Sequence, residues 1–295
     1  MASLSTSGPT FGPGTLGAIE AMKPQPRAGA RRRVPGANRI FSWVIFIVGV
    51  LYFLLPLLAT LEFSLRTKVP FAAYTNVLFK DPQFAGSLIY SFVIGVITII
   101  VSLAIIVPTA YWVRLRLPRL RPVVEFVTLL PFVIPPLILV FGLLRAYNGP
   151  PLPLTANDIG LNILLIAAYT VLSFPYMYRA VDSGLQAINV RSLTEAAQSM
   201  GAGWTRILLQ VIFPNIRVAL LSGSFLTLAI VIGEYTIASF LVRPAFGPYL
   251  ALLGRDKAFE PAAVTIISFG LTWMAMGMIA ILGRGRQRIQ VAGAR

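Results

Sequence analysis

The distribution of apolar residues constrains this chain more than any other feature of its sequence. Six apolar runs are each long enough to cross about 30 Å of hydrocarbon at about 1.5 Å of rise per residue. Within lipid, a helix satisfies the hydrogen bonds of its own backbone. We therefore predict an all-α integral membrane protein with six transmembrane helices. The predicted spans are roughly 40–64, 86–112, 122–146, 160–180, 216–241 and 262–283.

The composition excludes several classes of protein. Hydrophobic residues make up 57% of the chain and charged residues only 12%, whereas soluble domains are about a quarter charged. The chain contains no Cys and no His, which excludes disulfides, zinc sites and His-based acid–base chemistry within it. We therefore expect no metal and no cofactor in this chain, and a lipid bilayer as its surroundings.

The positive charge predicts an orientation rather than a nucleic-acid partner. The net charge is +15, but the Arg and Lys residues lie between the apolar runs. With the N-terminus inside, the inner segments hold 18 of these residues and the outer segments hold 7. We predict that both termini are cytoplasmic. Residues 1–38 read as a disordered basic tail, 39–285 as the six-helix domain with a cytoplasmic loop at 181–217, and 286–295 as a second tail.

The loop between the fourth and fifth runs carries signals for helix boundaries. Ser192 and Glu195 have the spacing of a capping box, in which each side chain accepts from the other residue's amide. A short helix is then predicted through Ala196 and Ala197. Gly201 stands where a residue of left-handed conformation would end that helix.

A second helix is predicted from Trp204 to Phe213, with Pro214 marking the bend into the fifth span. Small alanines would let the first helix enter a groove on a partner, and Glu195 could pair with a basic residue there. From these residues alone, a capped helix lying on the membrane surface is the better interpretation, with Glu195 acting only as a cap.

The same loop resembles a known motif. From Glu195 to Pro214 it reads Glu-Ala-Ala, three residues, Gly, nine residues, Val, one residue, Phe-Pro. This resembles the EAA loop in permease subunits of binding-protein-dependent ABC importers, whose pattern is E-A-A, three residues, G, nine residues, I-x-L-P. Val211 and Phe213 replace the usual Ile and Leu. The resemblance covers roughly residues 40–283, but its specific motif is confined to the loop.

This resemblance implies a type I ABC importer permease in a bacterial inner membrane. In that family the loop docks in a cleft of a separate ATPase, and closure of two ATPase subunits switches two permease subunits between inward-open and outward-open forms. The implied partners are a second permease subunit, expected to be a different but related chain, two cytoplasmic ATPase subunits and an extracytoplasmic substrate-binding protein. The residues expected to couple the chain to the ATPase are Ser192, Glu195, Ala196, Ala197, Gly201 and Pro214.

The chain is not expected to be an enzyme. It contains no G-x-x-x-x-G-K-[ST] phosphate loop, so ATP with its Mg²⁺ would be bound only by the partner ATPase subunits. A membrane enzyme acting alone would need clustered acid–base groups or metal ligands. A stand-alone secondary transporter would usually need an internal repeat or several buried charges. The sequence shows none of these features clearly.

Polar residues within the predicted spans are candidates for a substrate pathway, because they are costly in lipid. Glu234 in the fifth span could line the pathway and attract a cation, or pair with an Arg or Lys of a partner subunit. A hydrogen bond between helices is an equally good interpretation. Thr227 lies seven residues earlier, on nearly the same helix face. The fourth span has a polar stripe, which more often serves only to join helices. The stripe consists of Asn162, Tyr169, Ser173 and Tyr176.

The third span has two further features. The prolines between Pro131 and Pro136 are favoured as a packing irregularity, and the alternative is a break in the span beside a pathway. Glu125 follows a group of arginines, which predicts an ion pair at the inner surface.

The substrate is expected to be a polyamine, spermidine or putrescine. The segment Phe71–Gln83 and the triplet Gly233-Glu-Tyr resemble the spermidine/putrescine branch of these permeases, although similar Gly-Glu-aromatic segments occur in permeases for iron, molybdate and sulfate. Glu234 suits a cationic substrate. The alternatives are iron(III), other ions or small organic solutes, carried by the same machinery.

Overall fold

The protein is described by a computed structural model, which covers residues 36–69 and 71–284. Within these residues all regular elements are helices. The helices are α1 (Gly36–Leu65), α2 (Ala72–Thr75, continued by a π-helical turn over Asn76–Lys80), α3 (Pro82–Leu115), α4 (Arg121–Val133), α5 (Pro136–Ala146), α6 (Asp158–Gln186), α7 (Val190–Ser199), α8 (Trp204–Asn215), α9 (Arg217–Gly233), α10 (Thr236–Phe240), α11 (Phe246–Asp256) and α12 (Glu260–Arg284). Most of the predicted tail at 1–38 and all of the tail at 286–295 lie outside the described residues.

Three helices are long and apolar enough to span a membrane: α1 over Phe41–Leu65, and α3 and α6 over their whole lengths. They coincide with the first, second and fourth predicted spans. Two bent pairs, α4 with α5 and α8 with α9, could each form one broken span. The sixth predicted span, 262–283, lies within the 25-residue helix α12, of which Glu260–Leu271 is the apolar part among the residues whose side chains are described. The described residues thus hold three to five candidate spans, fewer than the six predicted.

The third predicted span is broken rather than merely irregular. Helices α4 and α5 meet at an angle of 95°. Ile134 and Pro135 between them have extended backbone conformations, because a residue before proline avoids the helical region and consecutive prolines cannot donate backbone hydrogen bonds. The break, which was the less favoured interpretation, is therefore observed, while its position beside a pathway stays a prediction.

The prediction of a continuous fifth span over 216–241 is wrong. Helix α9 ends at Gly233, Glu234 is extended, and the short helix α10 begins at Thr236. At the other end, α8 and α9 meet at an angle of 82° around Ile216. The bend at Ile216 coincides with the predicted start of the fifth span, whereas the break at Glu234 lies within the apolar run, where hydropathy alone could not detect it.

The chain divides after Leu54 into two compact units. In the second unit α6 is central and packs against α3, α4 and α9. One apolar cluster lies where α3 and α6 approach α7 and α8, and includes Val107, Val181, Leu185, Ile207 and Ile212. A second cluster joins α5, α6, α9 and α10 toward the other ends of these helices, around Val140, Leu165 and Ile237.

Candidate functional site

The loop predicted to contact a partner is folded as two helices, α7 and α8, here called the α7–α8 segment (residues 190–215). Helix α7 begins three residues earlier than predicted, because its N-cap is not Ser192. Asn189 is the N-cap, and its side-chain oxygen accepts from the amide of Ser192 at 3.2 Å. The predicted capping box is therefore wrong: Asn is as good an N-cap as Ser, and Asn189 places Ser192 inside the helix. Glu195 instead accepts from Arg191 Nε at 2.9 Å.

The predicted end of this helix at Gly201 is confirmed. Gly201 has φ +77°, which costs glycine no side-chain strain. Its amide donates to Gln198 O at 2.9 Å, and the amide of Ala202 donates to Ala197 O at 3.0 Å. These are the two hydrogen bonds of a Schellman motif, which satisfy the last carbonyls of the helix.

The second helix of the segment is also observed, although its bend is displaced. Helix α8 includes a π-helical turn over Ile207–Ile212. Pro214 has no amide hydrogen, so the regular α-helical bond at that position cannot form, and Asn215 Nδ2 donates to Val211 O at 2.7 Å. The bend falls at Ile216 rather than at Pro214, which lies inside the helix.

Helix α7 has one face on the protein and one face exposed. Val190, Thr194 and Ala197 are buried against the bundle. Ser192, Glu195 and Ala196 are exposed, as is Gly201. Of the two alanines in the motif, therefore, only Ala196 faces outward, and Ala197 packs against the bundle.

A cluster of charges that the sequence interpretation missed lies next to this segment, where α3 and α6 end and α4 begins. Asp182 is buried, and its two oxygens accept from Arg114 Nη1 at 3.0 Å and from Arg121 Nη2 at 2.9 Å. Gln186 donates to it at 2.6 Å. Arg121 also pairs with Glu125 at 2.9 Å, which confirms the predicted ion pair. We call this end of the bundle the basic end.

Glu234 forms the interhelical hydrogen bond that was one of its predicted roles. Tyr169 of α6 donates to Oε2 at 3.2 Å, while the amides of Ile237 and Ala238 donate at 3.0 and 3.3 Å. The carboxylate therefore caps α10 and ties it to α6. None of the described Arg and Lys side chains forms an ion pair with Glu234, so dipoles rather than a cation hold its charge.

The polar stripe on α6 mainly joins helices. Tyr90 of α3 donates to Asn162 Oδ1 at 2.7 Å. The hydroxyls of Ser102 and Ser173 lie 2.7 Å apart and are buried. With the bond from Tyr169, three of the four stripe residues connect α6 to its neighbours.

The remaining two pathway candidates, Thr227 and Tyr176, take no part in the hydrogen bonds between helices described above. Thr227 is fully buried and donates to Gly223 O within its own helix at 2.9 Å. Tyr176 packs edge-on against Phe132 at 5.3 Å between ring centres. It also lines an open cleft of about 830 Å³ between α4, α6 and α9, with charged groups from Glu125 and Arg179 and hydroxyls that include those of Thr128 and Ser222. Tyr176 is the one predicted pathway residue on this cleft.

The described residues thus form a bundle of apolar helices, some long enough to span a membrane, with a two-helix segment packed at the basic end. The pattern of the family described as "binding-protein-dependent transport system inner membrane component" matches residues 106–288, more than half of the chain. The chain belongs to this family, and is a permease subunit of a binding-protein-dependent ABC importer. Membership implies an ATPase and a binding protein as partners.

Curated relatives carry different substrates in their names. The chain is 28% identical over 268 residues to a probable molybdenum ABC transporter permease protein of Haloferax volcanii, covering 86% of this chain and 94% of the relative. It is 27% identical over 223 residues to a spermidine/putrescine transport system permease protein of Haemophilus influenzae, covering 68% and 75%. These relatives do not single out the polyamine branch.

Solved structures support the fold. A bacterial ABC transporter involved in the import of the acidic polysaccharide alginate has a chain that is 23% identical, with a TM-score of 0.53 over 84% of this chain and 98% of that one. An amino acid ABC transporter has a chain that is 20% identical, with a TM-score of 0.50 over 74% and 99%. At these identities the likeness concerns the fold alone.

Proposed function

We propose that this chain forms half of the translocation pathway of a type I ABC importer and docks a separate ATPase through the exposed face of α7. The observation that carries this proposal is the division of α7 into a buried face and an exposed face. The buried face fixes the helix on the bundle, and the exposed face presents Glu195 and Ala196 to a partner.

The chemistry of the exposed face suits a groove on another protein. Ala196 offers little bulk, so a partner backbone can approach closely. Met200, at the end of the helix, has 81% of its surface exposed and could fill an apolar pocket. The Arg191–Glu195 pair is exposed at 83% and 61% of its side-chain surfaces, so little energy is lost when Glu195 exchanges Arg191 for a basic partner residue.

The proposed assembly contains a second permease subunit, different from but related to this chain, two ATPase subunits and an extracytoplasmic binding protein. The basic end and both termini would lie in the cytoplasm of a bacterial cell, because basic flanks are retained on that side. ATP hydrolysis would occur in the ATPase subunits, with no cofactor held by this chain.

Replacing Ala196 by Trp is expected to reduce co-purification of the ATPase by about tenfold or more, because overfilling a close contact costs at least ~1.4 kcal/mol. The measurement is the amount of ATPase and of ATP hydrolysis recovered per permease from membranes. Ala85→Trp, at an exposed position in the first turn of α3, is the matched control and should leave recovery unchanged. Equal ATPase recovery with both variants, at equal membrane abundance, would refute docking through α7.

The substrate we propose first is a polyamine. Glu234 carries a charge that no described cation neutralises, and it lies in the part of the chain that resembles polyamine permeases. Asn162, Tyr169, Ser173, Tyr176 and Thr227 are the other proposed pathway residues. An oxyanion such as molybdate is the second candidate, because Arg179 lines the cleft and forms none of the ion pairs among the described residues.

Uptake by cells with and without the intact chain separates these candidates. We expect loss of the chain to abolish uptake of labelled spermidine, and Glu234→Gln to reduce it because a neutral amide attracts a cation less. Glu62→Gln, which changes an exposed carboxylate, serves as the control. Spermidine uptake that is independent of the chain, together with molybdate uptake that requires it, would instead establish the oxyanion.

A further inference from the structure

We propose that Tyr111 and Thr194 are positioning residues that fix the α7–α8 segment to α3, so that movement of the docked helix is transmitted to α3 through a side-chain contact. This inference rests on the proposed function, which says where an ATPase docks but not which membrane helix follows it.

The backbone connections alone do not fix the segment. Residues 187–189 separate α6 from α7, residues 200–203 separate α7 from α8, and a bend of 82° separates α8 from α9. Non-helical joints of this kind absorb changes of backbone angle. The orientation of α7 must therefore depend on contacts between its buried face and the bundle.

A buried hydrogen bond provides such a contact. Tyr111 OH and Thr194 Oγ1 lie 2.9 Å apart, and both residues are 2% exposed. Thr194 already donates its single hydroxyl hydrogen to Val190 O at 2.7 Å. Tyr111 must therefore be the donor to Thr194. The bond is directional, excluded from water, and joins the last turns of α3 to the middle of α7.

The ring of Tyr111 also belongs to an aromatic contact with α8. Trp204, the first residue of α8, packs against Trp112 at 4.7 Å and edge-on against Tyr111 at 6.1 Å between ring centres. The guanidinium of Arg116 lies 5.8 Å from the Trp204 ring centre, a distance at which cation and ring attract. The end of α3 thus contacts both helices of the segment, and Tyr111 touches each of them.

The same end of α3 is attached to α6 through the Arg114–Asp182 ion pair. A force applied to α7 therefore reaches α3 through Tyr111 and is shared with α6. Removing the hydroxyl of Tyr111 leaves its ring packing intact and leaves Thr194 bonded to Val190. The variant should fold, but its segment should lie less firmly on α3.

The absence of cysteine allows this to be measured with site-specific labels. Cysteines at the exposed positions Ser199 and Arg119 would carry nitroxide labels in the full-length chain, purified in lipid nanodiscs with the subunits that accompany it. We expect Tyr111→Phe and Thr194→Val to broaden the distance distribution between the labels. In proteoliposomes of the same complex, uptake of labelled spermidine or molybdate per ATP hydrolysed should fall about two- to tenfold, the range that corresponds to one hydrogen bond.

Two variants control for a merely structural effect. Thr194→Ser keeps the accepting hydroxyl, so its label distance distribution and its uptake per ATP should equal those of the unmodified chain. Tyr90→Phe removes a hydrogen bond of equal kind, to Asn162, far along α3 from the segment, and should leave the label distances unchanged. A narrow distribution and unchanged uptake per ATP in both Tyr111→Phe and Thr194→Val would overturn the inference.

Failure of the proposed function gives a different result. If no ATPase accompanies the unmodified chain, docking through α7 is refuted. Uptake per ATP hydrolysed then cannot be measured. The label distances still report whether Tyr111 holds the segment, so a broadened distribution in the variants would support the contact even then.

Discussion

Asp182→Asn is expected to lower the free energy of unfolding by about 2–3 kcal/mol. The substitution keeps the shape of the side chain but removes the charge that holds Arg114 and Arg121 at 3.0 and 2.9 Å. Breaking a fully buried ion pair costs about 3–5 kcal/mol. We expect less here, because the Arg121 side chain is 43% exposed and water can partly solvate it.

The measurement is thermal unfolding in detergent or nanodiscs, together with the abundance of the chain in membranes. Glu62→Gln is the matched control, since Glu62 and Arg66 form an ion pair of one helical turn with both side chains 61% exposed. Such surface pairs contribute about 0.5 kcal/mol or less. Equal unfolding temperatures for the two variants would show that the Asp182 cluster does not hold the ends of α3, α4 and α6 together.

Gly247→Ala is the second large effect expected, at about 3 kcal/mol of destabilisation, the upper part of the range for overpacking. A β-carbon at position 247 would lie 2.2 Å from the carbonyl oxygen of Glu234 and 3.1 Å from the α-carbon of Tyr235. These atoms belong to the backbone, which cannot relieve the clash by a change of rotamer as a side chain can. The turn at Glu234 would have to shift, and with it the cap of α10 and the bond to Tyr169.

Gly254→Ala in the same helix provides the comparison. Its added β-carbon would meet only Pro261 Cγ at 3.9 Å, which is ordinary contact. Alanine in a helix interior is favoured over glycine by about 0.5–1 kcal/mol, so this variant should be slightly stabilised. Unfolding temperatures that move in opposite directions support the packing at Gly247; a Gly247→Ala variant as stable as Gly254→Ala would contradict it.

The features predicted correctly from the sequence are those encoded within one continuous stretch. Apolar run length located α1, α3 and α6, and the need for positive φ located the end of α7 at Gly201. The predicted N-cap of α7, Ser192, was wrong because the start of that helix depends on packing as well as on local sequence. Asn189 and Ser192 are both good N-cap residues. The earlier start is favoured because it buries Val190 against the bundle, and a capping pattern contains no information about burial.

The features that were missed depend on residues far apart in the sequence. Asp182 meets Arg114 and Arg121 across more than 60 positions, so it looks like an ordinary flanking acid until three helices are brought together. Glu234 presents the opposite problem. Its cost within an apolar run was recognised, but its two backbone partners arise only because α9 ends at Gly233 and α10 begins beyond it.

The lengths of two helices bear on how the protein tolerates different membranes. Helix α3 has 34 residues and α6 has 29, which correspond to about 51 and 43 Å, whereas hydrocarbon layers vary from about 27 to 33 Å among membranes. Even at a tilt of about 20°, both helices extend beyond the thickest of these layers. The excess over the thickest layer is about 15 Å in total for α3 and about 8 Å for α6, so at least one end of each helix extends beyond the acyl chains. A change of lipid composition should alter how much of each helix is covered by lipid while leaving the exposed face of α7 within reach of a soluble protein.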